Sequence, residues 1–429
     1  MPPPGVQHFR VMLPNEVQAT GELAGVAVGG TAKFIQEAHL GIASRPFRAL
    51  GPFGAPVRVV HDRVSSAAYE LVSRALAAGP RALVRLTPGN GLPASNTLRG
   101  SLTLGALNGA LGDRLESSGN PLALEMSFRP SGEEHAPTGR LAVFVHGLCE
   151  TDEAWRLFSR RPYGSRLYEE LGYTPLYLRY NSGLRISDNG RRLAELLELE
   201  VTEWPVPVEE IALVGHSMGG LVARSACHYG GDWTRSVRHV FCLGSPHLGA
   251  PLEKGANALG YALARLPETR PLAKVVNGRS VGIKDLRFGS CAEEDWCDCD
   301  PDEFLRDRCT EVPFLECATY YFVGATLSQR SNSLVGDLLV RYPSASGSGR
   351  RRRLPFEIDH GMHLGGANHF QLLNHPAVYD QLVKWLRAAR GSGVPDSRTL
   401  PPPLPRDGLD GPCPASYPAA AGQAPPHSA

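Results

Sequence analysis

Short apolar runs alternate with helical patterns along the middle of this chain. From Gly139 onward the runs are RLAVFVHGL, TPLYLRYNSG, EEIALVGHSM, RHVFCLGSPH, ATYYFVGATL and RLPFEIDHG. Several are rich in β-branched and aromatic residues and almost unbroken in hydrophobicity. Strands covered on both faces look like this. Between them lie SRLYEELGY, NGRRLAELLELEVTEW, LVARSACHYG and AVYDQLVKWLRAAR, whose apolar positions recur at helical spacing. The alternation predicts an α/β domain over residues 139–390, built on a doubly wound, mostly parallel sheet.

The flanks differ. Before residue 139, SAAYELVSRALAAG and LRGSLTLGALNGALGDRLESSG carry helical apolar spacing, the second weakened by its glycines. Residues 1–138 therefore read as an N-terminal helical accessory region, either packed on the main domain or in contact with a membrane. Residues 252–312 are irregular and polar, with an acidic cysteine loop, and read as a cap-like insertion above the sheet. After residue 391 the chain is rich in Pro, Ala and Gly, which predicts a disordered tail over 391–429. No internal repeat is visible.

Composition narrows the function. The chain has 429 residues with 42% hydrophobic and 20% charged, so a sizeable core can be buried. A formal net charge of +1 argues against electrostatic binding of nucleic acid. No run approaches the roughly 18 apolar residues of a membrane span, and the first residues lack a secretory pattern. The expectation is a cytoplasmic protein with peripheral membrane contact left open. Of nine cysteines, Cys149, Cys227 and Cys242 sit among apolar neighbours and read as core residues. Cys291, Cys297, Cys299, Cys309 and Cys317 cluster. Without paired CxxC units or a nearby histidine they read as reduced thiols, with a disulfide or a zinc site as the alternatives.

One stretch carries chemistry. In IALVGHSMGGLVARSA, a strand runs into Gly215-His216-Ser217-Met218-Gly219 and a helix follows at once. This G-x-S-x-G pattern, at a strand-to-helix junction, forces the serine into a strained turn with its hydroxyl above the sheet edge. Met218 supplies one backbone donor for an oxyanion, and Leu148, after Val145-His146-Gly147, supplies the second. The acid is expected after a later strand. Asp337 in SNSLVGDLLV fits, with Asp359 as its rival. The base is expected before the last helix, where His360, His363, His369 and His375 compete. His369 lies on a glycine-containing loop and is preferred, and His375 precedes a helix-starting proline. His146, Gly147, His216 and His247 flank these positions and are expected around the substrate, His247 mainly through packing or hydrogen bonding. Tyr180, Asn181 and Ser182 read as a turn at the site's edge. Arg350–Arg353 is either a solvated basic run or a contact for an anionic head group. The chemistry needs no metal or organic cofactor.

FVHGL, GHSMGGLVARS, GSPHLGAPLE, VGDLLV and NHFQLLNHPAVYDQL together resemble the lipase and esterase branch of the α/β-hydrolase superfamily. Within it they are most similar to bacterial lipases and GPI inositol-deacylase-like hydrolases, over about Gly139 to Arg390. LNGALGDRLESSGNPLALEMSFRPSG also resembles an extension found in bacterial members of the branch. The resemblance implies a serine hydrolase cleaving carboxylic esters with a lipidic or apolar acyl part, acting on a small-molecule ester or lipid. Acyl transfer from the same site, or a non-catalytic scaffold on the same fold, are the alternatives. One departure stands out: where the branch has Asp-Gly-Leu-Val, this chain has Asp337-Leu338-Leu339-Val340.

Overall fold

A computed structural model describes residues 98–129, 135–266, 269–332 and 335–391, with four isolated positions between 59 and 66. The expected helices before residue 98 and the expected tail after 391 lie outside the described residues.

Seven strands form one sheet in the order β1-β3-β2-β4-β5-β6-β7. They are β1 (Ser127–Arg129), β2 (Arg140–Val145), β3 (Thr174–Arg179), β4 (Glu210–His216), β5 (Val237–Leu243), β6 (Thr319–Thr326) and β7 (Gly361–Gly365). All neighbours are parallel except the short edge strand β1, which pairs antiparallel with β3. Residues 141–145 and 211–216 are buried without a break. That is why these strands read as continuous apolar runs: helices cover both faces of the sheet.

The helices are α1 (Leu98–Ser117), α2 (Tyr163–Leu171), α3 (Ile186–Glu203), α4 (Met218–Tyr229), α5 (Pro251–Ala264), α6 (Arg270–Asn277), α7 (Val281–Asp285), α8 (Tyr342–Ala345) and α9 (Pro376–Gly391). Two cores result. Leu141, Val143, Leu213 and Val240 face α3 and α4, where Leu193, Leu197, Leu221 and Val222 meet them. Ala142, Phe144, Val214 and Phe241 face the other way, toward Leu167 of α2 and Val378 and Leu382 of α9. Successive residues pointing to opposite faces account for this division. Among the described residues no helix is long and apolar enough to cross a membrane.

Three expectations change. The segment 252–312 is not irregular throughout: α5, α6 and α7 occupy its first half. The strand read at Arg353–Gly361 forms instead at Gly361–Gly365, with a 3-10 turn over Ile358–His360 before it. Pro355, within the expected run, has no N–H to give a sheet ladder. Cys149 is exposed rather than buried, because it stands past the end of β2 at φ 61° in a turn. Cys227 and Cys242 are buried as expected.

The glycines of α1 have a tertiary reason. A Cβ at Gly105 would meet the carbonyl oxygen of Glu150 at 2.8 Å, and one at Gly109 would meet Cys149 Sγ at 2.3 Å. A Cβ at Gly112 would lie 1.8 Å from Asn181 Oδ1. These positions recur every three or four residues, so they share one helix face. Through that face the helix backbone lies directly on the turns that follow β2 and β3. Ser101 Oγ at 2.8 Å from Thr151 Oγ1, and Asn181 Nδ2 donating to the Gly112 carbonyl at 2.9 Å, fix the contact.

Candidate active site

Ser217 stands between β4 and α4 with φ 51° and ψ −122°, a backbone conformation that L-residues with a Cβ rarely adopt. The neighbouring glycines explain how the chain permits it. A Cβ at Gly215 would sit 2.4 Å from the Gly220 nitrogen, and a Cβ at Gly219 would sit 2.1 Å from the Val145 carbonyl oxygen. The turn therefore closes on itself and on the end of β2. Ser217 N–H donates to the Leu243 carbonyl at 2.7 Å, tying the turn to β5 as well.

The turn after β2 lies alongside. The Glu150 N–H donates to the Gly147 carbonyl at 3.3 Å, with Leu148 and Cys149 at the centre of the turn. The φ of 61° at Cys149 is what a type II turn needs at that place. Met218 is the first residue of α4, so its N–H has no acceptor within the helix. Leu148 shares the cavity described below with Ser217.

Glu150 organises this corner, and sequence reading did not single it out. Its buried carboxylate accepts from the Gly147 N–H at 2.7 Å and lies 3.0 Å from His216 Nδ1. His216 Nε2 lies 3.2 Å from the His369 carbonyl oxygen. Burial opposes charge on both side chains, but the facing opposite charge and the hydrogen bonds outweigh it. His216 is held above its ordinary value of 6.5 and Glu150 below its ordinary value of 4.5. An acid three residues after a His-Gly turn is the signal that could have found it.

Asp337 and His369, on the loops after β6 and β7, meet deep in the fold. His369 Nδ1 lies 2.7 Å from Asp337 Oδ2, and both residues are almost fully buried. The other carboxylate oxygen accepts from the Leu339 N–H at 3.0 Å and the Val340 N–H at 2.7 Å. The His369 N–H returns to the Asp337 carbonyl at 3.0 Å. Leu338 adopts φ 92°, so the loop keeps a glycine-type backbone although a leucine occupies the place. Its side chain points to solvent, 61% exposed, where the Cβ costs strain but makes no clash with the carboxylate.

The competing residues lie elsewhere. Asp359 and His360 belong to the 3-10 turn that enters β7, at the opposite end of the sheet from Ser217. His363 is within β7, with Nε2 2.7 Å from Thr326 Oγ1. His375 Nδ1 accepts from the Ala377 N–H at 3.2 Å, at the start of α9.

A cavity of about 390 Å³ opens on Ser217 and His369. Ala250, Leu252, Ile283, Leu286, Leu339 and Phe370 make most of its wall, so the α5–α7 segment and the Asp337 loop enclose it together. Glu253 and Arg279 stand at one side, paired to each other at 2.6 Å. His369 Nε2 is buried and makes no hydrogen bond in this structure. Among the described residues, no group of three or more His, Cys, Asp or Glu side chains could hold a metal ion.

His146, Gly147, His216 and His247 were expected around the substrate, yet none of them borders this cavity. His146 is fully buried, stacked on Tyr180 with ring centroids 4.2 Å apart, and burial lowers its pKa. Gly147 and His216 are held by Glu150 behind the serine. His247 is buried against Arg224 on the far side of its loop. Tyr180, Asn181 and Ser182 are buried too, and Ser182 Oγ accepts from the Cys149 N–H at 3.1 Å. Their side chains support the wall; the apolar residues of the insertion, which no local signal marked, form it.

Residues 136–296 match the model of the PGAP1-like alpha/beta domain family. Among solved structures, the chain is similar to the lipase BlEst2 of Bacillus licheniformis in its mature form, at 20% identity and a TM-score of 0.39, over 61% of this chain and 97% of that one. The gene lin2722 product of Listeria innocua matches at 13% identity and a TM-score of 0.34, over 58% and 93%. A lipase-esterase related protein of Clostridium acetobutylicum matches at 14% and 0.32, over 62% and 98%. No curated protein matches the chain. Structural likeness at this level does not carry a function. Residues 136–296 are thus similar to a PGAP1-like alpha/beta domain, and the mostly parallel sheet and the strand–turn–helix junction at Ser217 are those the sequence motifs implied.

Proposed function

We propose that this protein is a serine hydrolase of carboxylic esters with an apolar acyl group. The observation that carries the reading is the state of His369. One ring nitrogen is held at 2.7 Å by a buried carboxylate, and the other is unpartnered on a cavity that Ser217 shares. Asp337 keeps the proton on Nδ1, which leaves the Nε2 lone pair to act as a base. No structural need explains a strained serine on the same cavity as an unpartnered imidazole nitrogen.

The steps follow from those positions. In the first step the Ser217 hydroxyl would meet Nε2 across the cavity the two residues share, a contact that commonly tightens only with substrate present. Nε2 takes the proton as Oγ attacks the ester carbonyl carbon. The developing oxyanion is met by the Leu148 and Met218 N–H groups, each worth about 3–4 kcal/mol at such sites. His369 then protonates the leaving alcohol, and water, activated by the same nitrogen, cleaves the acyl-enzyme. Glu150 acts as a positioning residue, since it holds the Gly147 amide and with it the angle at which Leu148 is presented. The apolar wall supports an acyl chain rather than a charged substituent. Exposed Leu252 and Phe370 extend that surface outward.

Two measurements test the proposal together. A fluorophosphonate probe should label the wild type and leave Ser217→Ala unlabelled. A panel of p-nitrophenyl esters from short to long acyl chains should be hydrolysed by the wild type only. Wild-type protein that is folded yet neither labelled nor active would favour a scaffold on this fold. Labelling combined with product transfer to an added alcohol in preference to water would favour an acyltransferase.

A further inference from the structure

The basic run at Arg350–Arg353 and His247, both singled out in the sequence, converge away from the serine. Arg350, Arg351 and Arg353 are exposed, but Arg352 turns inward. Its Nη2 donates to the carbonyl oxygens of His247 and Phe288. Arg224, on α4 and only 5% exposed, approaches the same place from the sheet side. Its Nη1 lies 3.2 Å from His247 Nδ1 and its Nη2 donates to the Val312 carbonyl at 3.2 Å. The three side chains line one narrow cavity with Gly289, Cys291, Cys309 and Val312.

The hydrogen bonding there does not balance. A guanidinium only donates, so Nδ1 of His247 must accept and the ring proton must be on Nε2. Burial and the two guanidiniums keep the ring neutral, consistent with that tautomer. His247 Nε2, Arg224 Nε and Arg352 Nε are then three buried N–H donors, and all three are unpartnered. Neither arginine pairs with a carboxylate among the described residues: Asp295, the nearby buried acid, is taken by the backbone N–H groups of Cys291, Ala292 and Thr310. Glu311, exposed at the cavity's rim, makes no ion pair with either arginine. The Gly289 carbonyl already accepts from the thiols of Cys291 at 3.4 Å and Cys309 at 3.5 Å. Apart from the weak thiol acceptor of Cys309, which faces Arg352, the cavity thus offers donors and positive charge. Water there could accept from two donors but would leave its own protons without partners. Uncompensated buried guanidinium groups are costly.

We propose that this cavity is a binding site for one small monovalent anion of the chloride class. An anion there would accept from the three donors and offset half of the positive charge of the two guanidiniums. The cavity has room for about one water-sized sphere, which suits a single small ion. The site closes the space between the loop after β5, whose Pro246 borders the reaction cavity, and the cysteine-bearing end of the insertion. It stands independently of the esterase reading.

The test has two arms. Thermal unfolding of the full chain is followed in rising sodium chloride or bromide, with sodium gluconate holding ionic strength constant. Wild-type Tm should rise by roughly 2 °C per tenfold increase in halide once the site fills. Arg352→Met and Arg224→Met should abolish that dependence. Crystals soaked in bromide should show an anomalous peak between Arg224, His247 and Arg352. A Tm indifferent to the exchange of gluconate for halide, or a cavity that contains water with no bromide signal, overturns the proposal. Should either variant fail to fold, the wild-type bromide map decides alone.

Discussion

Alanine at Gly219 is the sharpest perturbation of the serine turn. Its Cβ would sit 2.1 Å from the Val145 carbonyl oxygen and 2.5 Å from that of His146, both backbone atoms without side-chain freedom to yield. Relief to the ordinary 3.4 Å contact requires α4 and the end of β2 to separate by about 3.4 − 2.1 = 1.3 Å. Those two elements carry the Met218 and Leu148 amides, so the strain falls on the spacing of the two proposed oxyanion donors. Overpacking of this kind costs about 1–3 kcal/mol, or a Tm fall of roughly 2–5 °C for a folded body of this size. A misplacement of about 1 Å near reacting atoms costs on the order of 10²-fold in rate. Gly255→Ala is the matched control. It lies exposed within α5, and a Cβ there would meet nothing within 4 Å. Removing a helix-interior glycine should stabilise by about 1 kcal/mol, raising Tm by roughly 1–2 °C. The assay is differential scanning fluorimetry with kcat/KM on a p-nitrophenyl ester for all three proteins. If Gly219→Ala keeps both wild-type Tm and wild-type kcat/KM, the steric account of the turn is wrong.

Other outcomes follow from the same geometry. Asp337→Asn should lower kcat on the order of 10⁴-fold with little change in far-UV circular dichroism, because the amide favours the wrong imidazole tautomer; a loss below about tenfold would remove Asp337 from the mechanism. The Glu150–His216 pair gives a stability window in pH. The lowered carboxyl contributes above its unfolded value of 4.5 and is lost as pH falls through its folded value. The raised imidazole contributes below its unfolded value of 6.5 and is lost as pH rises through its folded value. The Tm difference between wild type and Glu150→Gln should therefore be greatest between pH 4.5 and 6.5 and shrink on either side; a difference that is flat from pH 4 to 9 contradicts the pairing. Leu338→Gly should release strain at φ 92° and raise stability by about 1 kcal/mol in chemical denaturation with activity retained, and a loss of stability would show that the exposed leucine packs. Ala256→Phe, in the cavity wall, should cut kcat/KM on long acyl esters at least about tenfold while sparing acetate; equal losses on both would place the acyl chain elsewhere.

Buried parallel strands and the serine turn were legible in the chain because their constraints are local. A strand covered on both faces has to be apolar at nearly every position, so β2, β4 and β5 announce themselves. The G-x-S-x-G turn needs glycine where backbone meets backbone within five residues, and that need is written into the pentapeptide. Where the constraint came from a distant segment, local reading failed. The glycines of α1 looked like weak helix residues until Cys149 and Asn181 were seen against them. β7 lies beyond Pro355 instead of across it. The insertion's helices α5 and α6 leave several apolar side chains exposed, Leu252 and Val275 among them.

The site divides in the same way. Residue types and chain order narrowed the acid to two carboxylates and the base to four histidines, all within about forty residues of one another. Only the crossing of the β6 and β7 loops put one imidazole against one buried carboxylate and left Asp359 and His360 at the other end of the sheet. The cavity wall and the inward turn of Arg352 likewise have no sequence signature of their own. A side chain's chemistry belongs to its residue type, but its charge state, its partner and the space in front of it depend on which distant elements pack beside it, and those contacts exist only once the chain has closed on itself.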